Sequence, residues 1–174
     1  PAFGIASAGA ILVGQAIGAG AREDVSSSDR VWGAVRLTLW TNMLWQSLVG
    51  CSYLIVPALL LTPFVGVDTT GLAATARAML MLSAAWQLFD AVATTFAEAL
   101  RAAGDTAFTL WARCAIAWVL FVPGAWLSVR VLGGNELVAV GWLVGYMSML
   151  ALVLVLRYRS GVWRSLHLVE PTTT

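Results

Sequence analysis

The 174-residue sequence reads as an all-α, polytopic transmembrane bundle of about five helices. Three observations point there. The composition is 60% hydrophobic and only 11% charged, with mean hydropathy +0.84, whereas soluble domains run about 45–50% apolar and about 25% charged. Apolar runs long enough to cross ~30 Å of hydrocarbon, about 20 residues of helix, recur along the chain. Once those runs are drawn as alternating crossings, all but two of the ten arginines fall on one side.

The whole chain, 1–174, is read as one membrane domain. The first apolar run occupies residues 1–18 and begins Pro1-Ala2-Phe3-Gly4, without an initiating Met or a basic leader, so it reads as part of a longer chain. Within it Ala6, Ala10, Gly14 and Gly18 form a small-residue stripe that allows close helix approach, a device repeated by Gly141 and Gly145. Residues 19–32 hold Arg22, Glu23, Asp24, three serines, Asp29 and Arg30, and are expected to form an aqueous loop. The second span, 33–61, contains Pro57, and the fourth, 107–129, contains Pro123; each predicts a kink, because proline lacks an N–H and its ring clashes with the preceding turn.

The third span covers 71–97 and the fifth 137–156, with short breaker-rich turns after the second and fourth. Arg22, Arg30, Arg36, Arg101, Arg113, Arg157, Arg159 and Arg164 then share one side, leaving Arg77 and Arg130 opposite. The positive-inside rule makes the crowded side cytoplasmic, together with the tail at 157–174. Because the spans were drawn from hydropathy alone, the arginine split checks them independently. Trp32, Trp111 and Trp163 fall at the inner boundary and Trp126 near the outer one, where indoles anchor.

Several function classes are set aside at this point. The scattered cations form no basic face for nucleic acid. Cys51 and Cys114 lie in apolar runs without metal-ligand spacing and read as small buried hydrophobes. The single histidine, His167, lies in the tail, and neither a nucleophile elbow nor a Gly-rich phosphate loop is present, so an enzyme is not expected. No cofactor or resident metal is expected either.

Charge within the hydrocarbon carries the functional signal. An ionised Asp at a helix centre costs about 2.5–3.5 kcal/mol on the insertion scale and is tolerated mainly against a cavity or a partner. Asp90 sits well inside the third span, and at helical spacing it shares a face with Trp86, Gln87 and Thr94. Burial in a low dielectric favours the protonated acid, so such a carboxylate can exchange a proton near neutral pH or hold a monovalent cation, sodium included. A structural hydrogen bond to another helix is the plainer alternative. Glu98 lies about 12 Å nearer the cytoplasm and one turn before Arg101, a spacing that predicts a helix-end ion pair. Gly104 is expected in a left-handed cap, with Asp105 capping the next helix.

These blocks resemble a known family. Ala10-Ile11-Leu12-Val13-Gly14-Gln15-Ala16-Ile17-Gly18-Ala19-Gly20, then Phe89-Asp90, then Glu98-Ala99-Leu100-Arg101-Ala102-Ala103-Gly104-Asp105-Thr106, and finally Arg157 to Trp163, look like the second repeat of the multidrug and toxic-compound extrusion (MATE) family. The resemblance implies a twelve-helix, two-lobe transporter of which this chain is the later part of the second lobe, partnered by a missing N-terminal lobe. It also implies that Asp90 matches the acidic residue of the tenth helix that takes part in sodium or proton coupling. Glu98 and Ala102 stand where the family usually has Gly, and Trp86 stands where some branches have Tyr.

The expected function is therefore a secondary antiporter of the plasma membrane, exporting small amphipathic or cationic compounds in exchange for H+ or Na+. Ten arginines without a lysine suggest a GC-rich bacterial genome and hence an inner membrane. Trp86, Gln87, Thr94 and Trp118 are candidate cavity-lining residues, Trp118 alternatively a core residue. Two other readings stay open. One is a lipid-linked saccharide flippase of the same superfamily, which would line its cavity with cations and is disfavoured by the lack of a mid-membrane basic residue. The other is a non-transporting scaffold, in which Asp90 would have a fixed arginine or backbone partner.

Overall fold

A computed structural model describes residues 1–23, 27–63 and 70–165. Among the described residues seven α-helices follow in chain order: α1 (Ala2–Glu23), α2 (Ser27–Ile55), α3 (Pro57–Leu61), α4 (Thr70–Ala102), α5 (Thr106–Ile116), α6 (Val122–Arg130) and α7 (Glu136–Arg159). A π-helical segment, Ala117–Phe121, joins α5 to α6, and a short 3-10 turn, Val162–Ser165, follows α7. No strand occurs among the described residues.

Four helical stretches among the described residues are long and apolar enough to cross a membrane: Ala2–Gly20, Ala74–Ala102, Thr106–Arg130 and Glu136–Arg159. The expected second span differs. At 29 residues α2 has the length, but Thr38, Thr41, Asn42 and Gln46 dilute its apolarity. It also stops at Ile55, and α3 restarts with Pro57 at its first turn, where a missing N–H costs nothing. The kink expected at Pro57 is thus a break between two helices.

At Pro123 the accommodation is gentler. The π-helical turn immediately before α6 opens the hydrogen-bond ladder where the proline ring would otherwise strike the preceding turn. The polar stretch expected as a loop at 19–32 is largely helical, since α1 runs to Glu23 and α2 starts at Ser27. Helices that outrun their apolar segments can present such residues beyond the hydrocarbon. Residues 24–26, the turn residues 64–69 and the tail from 166 onward, including His167, lie outside the described residues.

Cross-helix pairings fix the directions. Asn42 meets Thr95 while Gln46 meets Asp90, so α2 and α4 are antiparallel. Phe108 meets Arg157 and Phe121 meets Tyr146, so α7 runs against the α5–α6 rod. The start of α2, the end of α4 and the end of α7 therefore share one end of the bundle, with Arg30, Arg36, Arg101, Arg157, Arg159 and Arg164 around it.

The core lies toward that end. Val13 of α1, Val31 and Val35 of α2, Phe96 and Leu100 of α4, and Leu150 and Leu154 of α7 close on one another. Tyr158 is the hub of an aromatic cluster, 5.2 Å from Phe96, 5.4 Å from Trp163 and 6.0 Å from Trp32 between ring centroids. Trp163 is 6% exposed and donates its Nε1–H to the Tyr158 carbonyl at 3.0 Å. It is a buried lid over the end of α7, not the interfacial anchor expected of it. Trp111 and Trp126 do face outward.

Close helix approach occurs at glycines other than those in the expected stripes. Among the described residues, a Cβ on Gly14, Gly18, Gly141 or Gly145 would meet open space. At Gly9 it would collide with Thr38, and at Gly124 with the ring of Trp142. Trp142 is held there by donating Nε1–H to Ser128 Oγ at 2.8 Å. Cys51 is exposed and Cys114 partly so, hence neither is the buried hydrophobe expected.

Candidate functional site

The site begins with α4, the central helix, which packs against α1, α2 and α7. Along it Asp90, Thr94, Ala97, Glu98 and Arg101 recur at intervals of three and four and so occupy one face. On α5, Thr106, Thr109, Leu110 and Arg113 do the same. These two faces, with Phe3 of α1, line a cavity of about 550 Å³. Ligand pockets for drug-sized molecules span about 300–1,000 Å³.

Asp90 is held by neutral donors. Gln46 of α2 donates Nε2–H to Asp90 Oδ2 at 3.0 Å, and Thr94 is 3.2 Å from Oδ1. The Thr94 hydroxyl also bonds the Asp90 carbonyl at 2.6 Å. One turn along, Asn42 is fully buried and donates to the Ala91 carbonyl and to Thr95 Oγ1, each at 3.3 Å. Two amide oxygens of this layer, Asn42 Oδ1 and Gln87 Oε1, are buried without a hydrogen-bond partner among the described residues. No arginine or backbone group donates to the Asp90 carboxylate among the described residues.

Of the four residues expected on one stripe, Asp90 and Thr94 line the cavity. Gln87 turns instead into the protein, at 6% exposure, and neither it nor Trp86 is among the lining residues. Trp118 is 71% exposed, so it belongs neither to this cavity nor to the core. Several contributors were not expected from the sequence, among them the lining residues Phe3, Thr109 and Leu110. Asn42 and Gln46 sit at positions i and i+4 of α2, with Thr38 one turn earlier, a polar stripe that could have been found by the same spacing test applied to α4. Arg113 was counted for topology only, although it stands about 10 Å into its span.

The turn below the cavity is built as a Schellman motif. Gly104 adopts φ +89°, Asp105 N–H reaches the Leu100 carbonyl at 2.9 Å, and Gly104 N–H the Arg101 carbonyl at 3.0 Å. The left-handed glycine and the Glu98–Arg101 pair, at 2.7 Å, are as expected. Asp105 departs from expectation. It occupies the N-cap position of α5, yet its side chain makes no cap bond. Its Oδ2 accepts from Arg157 Nε at 2.7 Å, and the Arg157 guanidinium lies 4.5 Å from the centre of the Phe108 ring. The carboxylate thus ties the α4–α5 turn to the end of α7.

A helix bundle of membrane-crossing length, carrying a carboxylate on the wall of an open cavity, defines a polytopic membrane protein with the anatomy of a transporter. The MatE family model matches residues 1–127. The chain belongs to this family, the MATE transporters, as the residue blocks around Asp90 and Gly104 indicated. No curated protein and no solved structure matches the chain.

Proposed function

We propose that this chain supplies the ion-coupling lobe of a secondary antiporter that exports organic cations or other small amphipathic compounds as protons or sodium ions enter. The carrying observation is the setting of Asp90: on a cavity wall, inside a membrane-length helix, and hydrogen-bonded among the described residues only by the neutral side chains of Gln46 and Thr94. A carboxylate so placed can be reached from the cavity by a coupling ion. Proton binding converts one carboxylate oxygen from acceptor to donor, which would break the Gln46 bond or swing it, and so bias how α2 packs on α4. Differential stability of two packings is what alternating access requires. The arginine-rich end faces the cytoplasm in this reading, with the N-terminal lobe and the lipid bilayer covering the outward faces.

The fixed arginine or backbone partner that a scaffold role called for is not found among the described residues, while the Gln46 bond is the interhelical hydrogen bond of the plainer structural alternative, and the efflux assay below separates the two. The flippase reading gains support. Its disfavour rested on the lack of a mid-membrane cation, and Arg113, about 10 Å into its span, lines the same cavity as Asp90.

The test is Asp90→Asn in a drug-efflux assay with imposed proton or sodium gradients. The variant should express and lose gradient-driven efflux by a factor of about ten or more. Normal coupled efflux would overturn the mechanism, and transport of a lipid-linked saccharide in place of dyes would favour the flippase.

A further inference from the structure

The charges around the cavity do not cancel locally. Arg101 is neutralised by Glu98 at 2.7 Å, and Asp90 is satisfied by Gln46 and Thr94. Arg113 makes no hydrogen bond and no ion pair among the described residues, although it lines the same cavity. Arg113 is exposed toward the cavity, and a guanidinium within a span is tolerated where it meets water in a cavity or an anion. Asp90 lies about 16 Å along α4 from Arg101, and Arg113 lies about 10 Å along α5 from Thr106, at the same end of the bundle. The two opposite charges are thus offset along the bundle by on the order of 6 Å, the length of a small organic molecule.

Building on the antiporter reading, we propose that Arg113 is an anion-binding, specificity-determining residue, so that the cavity selects compounds bearing an acidic oxygen group as well as a cationic centre. Arg113 takes the carboxylate, sulfonate or phosphate, and Asp90 faces the cation. Leu110 and Phe3 add apolar surface to the same cavity wall. An arginine held instead by the phosphate of a bilayer lipid would share the chemistry but have no bearing on soluble ligands.

The experiment compares a rhodamine as its methyl ester, a pure cation, with the same rhodamine as free acid, a zwitterion. Binding to the transporter encoded by the full gene, in lipid nanodiscs, is read by fluorescence anisotropy for wild type, Arg113→Gln and Arg113→Lys. Wild type should favour the acid, and Arg113→Gln should reduce the acid-to-ester affinity ratio about tenfold, with Arg113→Lys keeping most of it. A wild-type protein that does not prefer the acid, or a ratio that Arg113→Gln leaves unchanged, overturns the proposal; the unchanged ratio is the lipid-phosphate outcome. Because binding needs no ion gradient, this result stands apart from the Asp90→Asn efflux assay, and either reading can fail without the other.

Discussion

The two halves of α4 are built differently. From Ala91 to Leu100 the helix is almost wholly enclosed by α1, α2 and α7, whereas from Ala74 to Phe89 most side chains are half-buried or exposed, Gln87 being the exception. Asp90 stands at the boundary. The enclosed half is locked by the Tyr158 cluster, the Schellman turn and the Asp105–Arg157 pair, while the open half has few such fixtures. In the antiporter reading proposed above, Asp90 would act where a firmly packed platform ends and a more open segment begins, so that stability and coupling divide along a single helix.

Substitutions can break or sharpen this division. Tyr158→Ala removes the hub of the aromatic cluster and should cost about 3–5 kcal/mol, read as a large fall in the detergent-solubilised unfolding midpoint. Asp105→Ala strips Arg157 of its partner in a mostly buried pair and should cost about 3 kcal/mol; an unchanged midpoint would show that Arg157 finds another anion. Asn42→Leu leaves Thr95 and the Ala91 carbonyl without their donor, a loss of about 1–3 kcal/mol. Asp90→Asn should change stability by less than about 1 kcal/mol, since the amide retains an acceptor for Gln46. A loss as large as that of Asp105→Ala would make Asp90 part of the platform and collapse the comparison. Smallest of all, Gly14→Ala should stabilise by up to about 0.5–1 kcal/mol through helix propensity alone, whereas Gly9→Ala must displace Thr38 and should destabilise.

What could be read from the sequence was whatever repeats within one element. Hydropathy located the helices, the Glu98–Arg101 spacing gave the ion pair, and Gly104 after Arg101 gave the cap, since each depends on neighbours along the chain. Asp90 was legible because a lone carboxylate in an apolar helix is costly wherever it points. Partners across helices were not. Asp105 carries the signature of an N-cap, and nothing local betrays that an arginine 52 positions later claims it. Trp163 looked like an interface anchor because amphipathic aromatics near a span's end usually are; its burial depends on the chain turning back through Gly161, at φ +71°. The glycine contacts failed for the same reason, as small residues permit approach on any face and only the neighbouring helix decides which face is used.

The π-helical segment between α5 and α6 has a consequence for counting. A π turn accommodates one residue more than an α turn, so every side chain beyond it is rotated by about 100° relative to an unbroken helix. The face that begins at Thr106 and passes through Arg113 therefore cannot be continued past Ala117 by steps of three and four. The indole of Trp118 lies within that change of phase, pointing outward. A single-residue deletion inside Ala117–Phe121 would remove the extra residue and restore a regular α-helix while leaving α6, Gly124 included, facing Trp142.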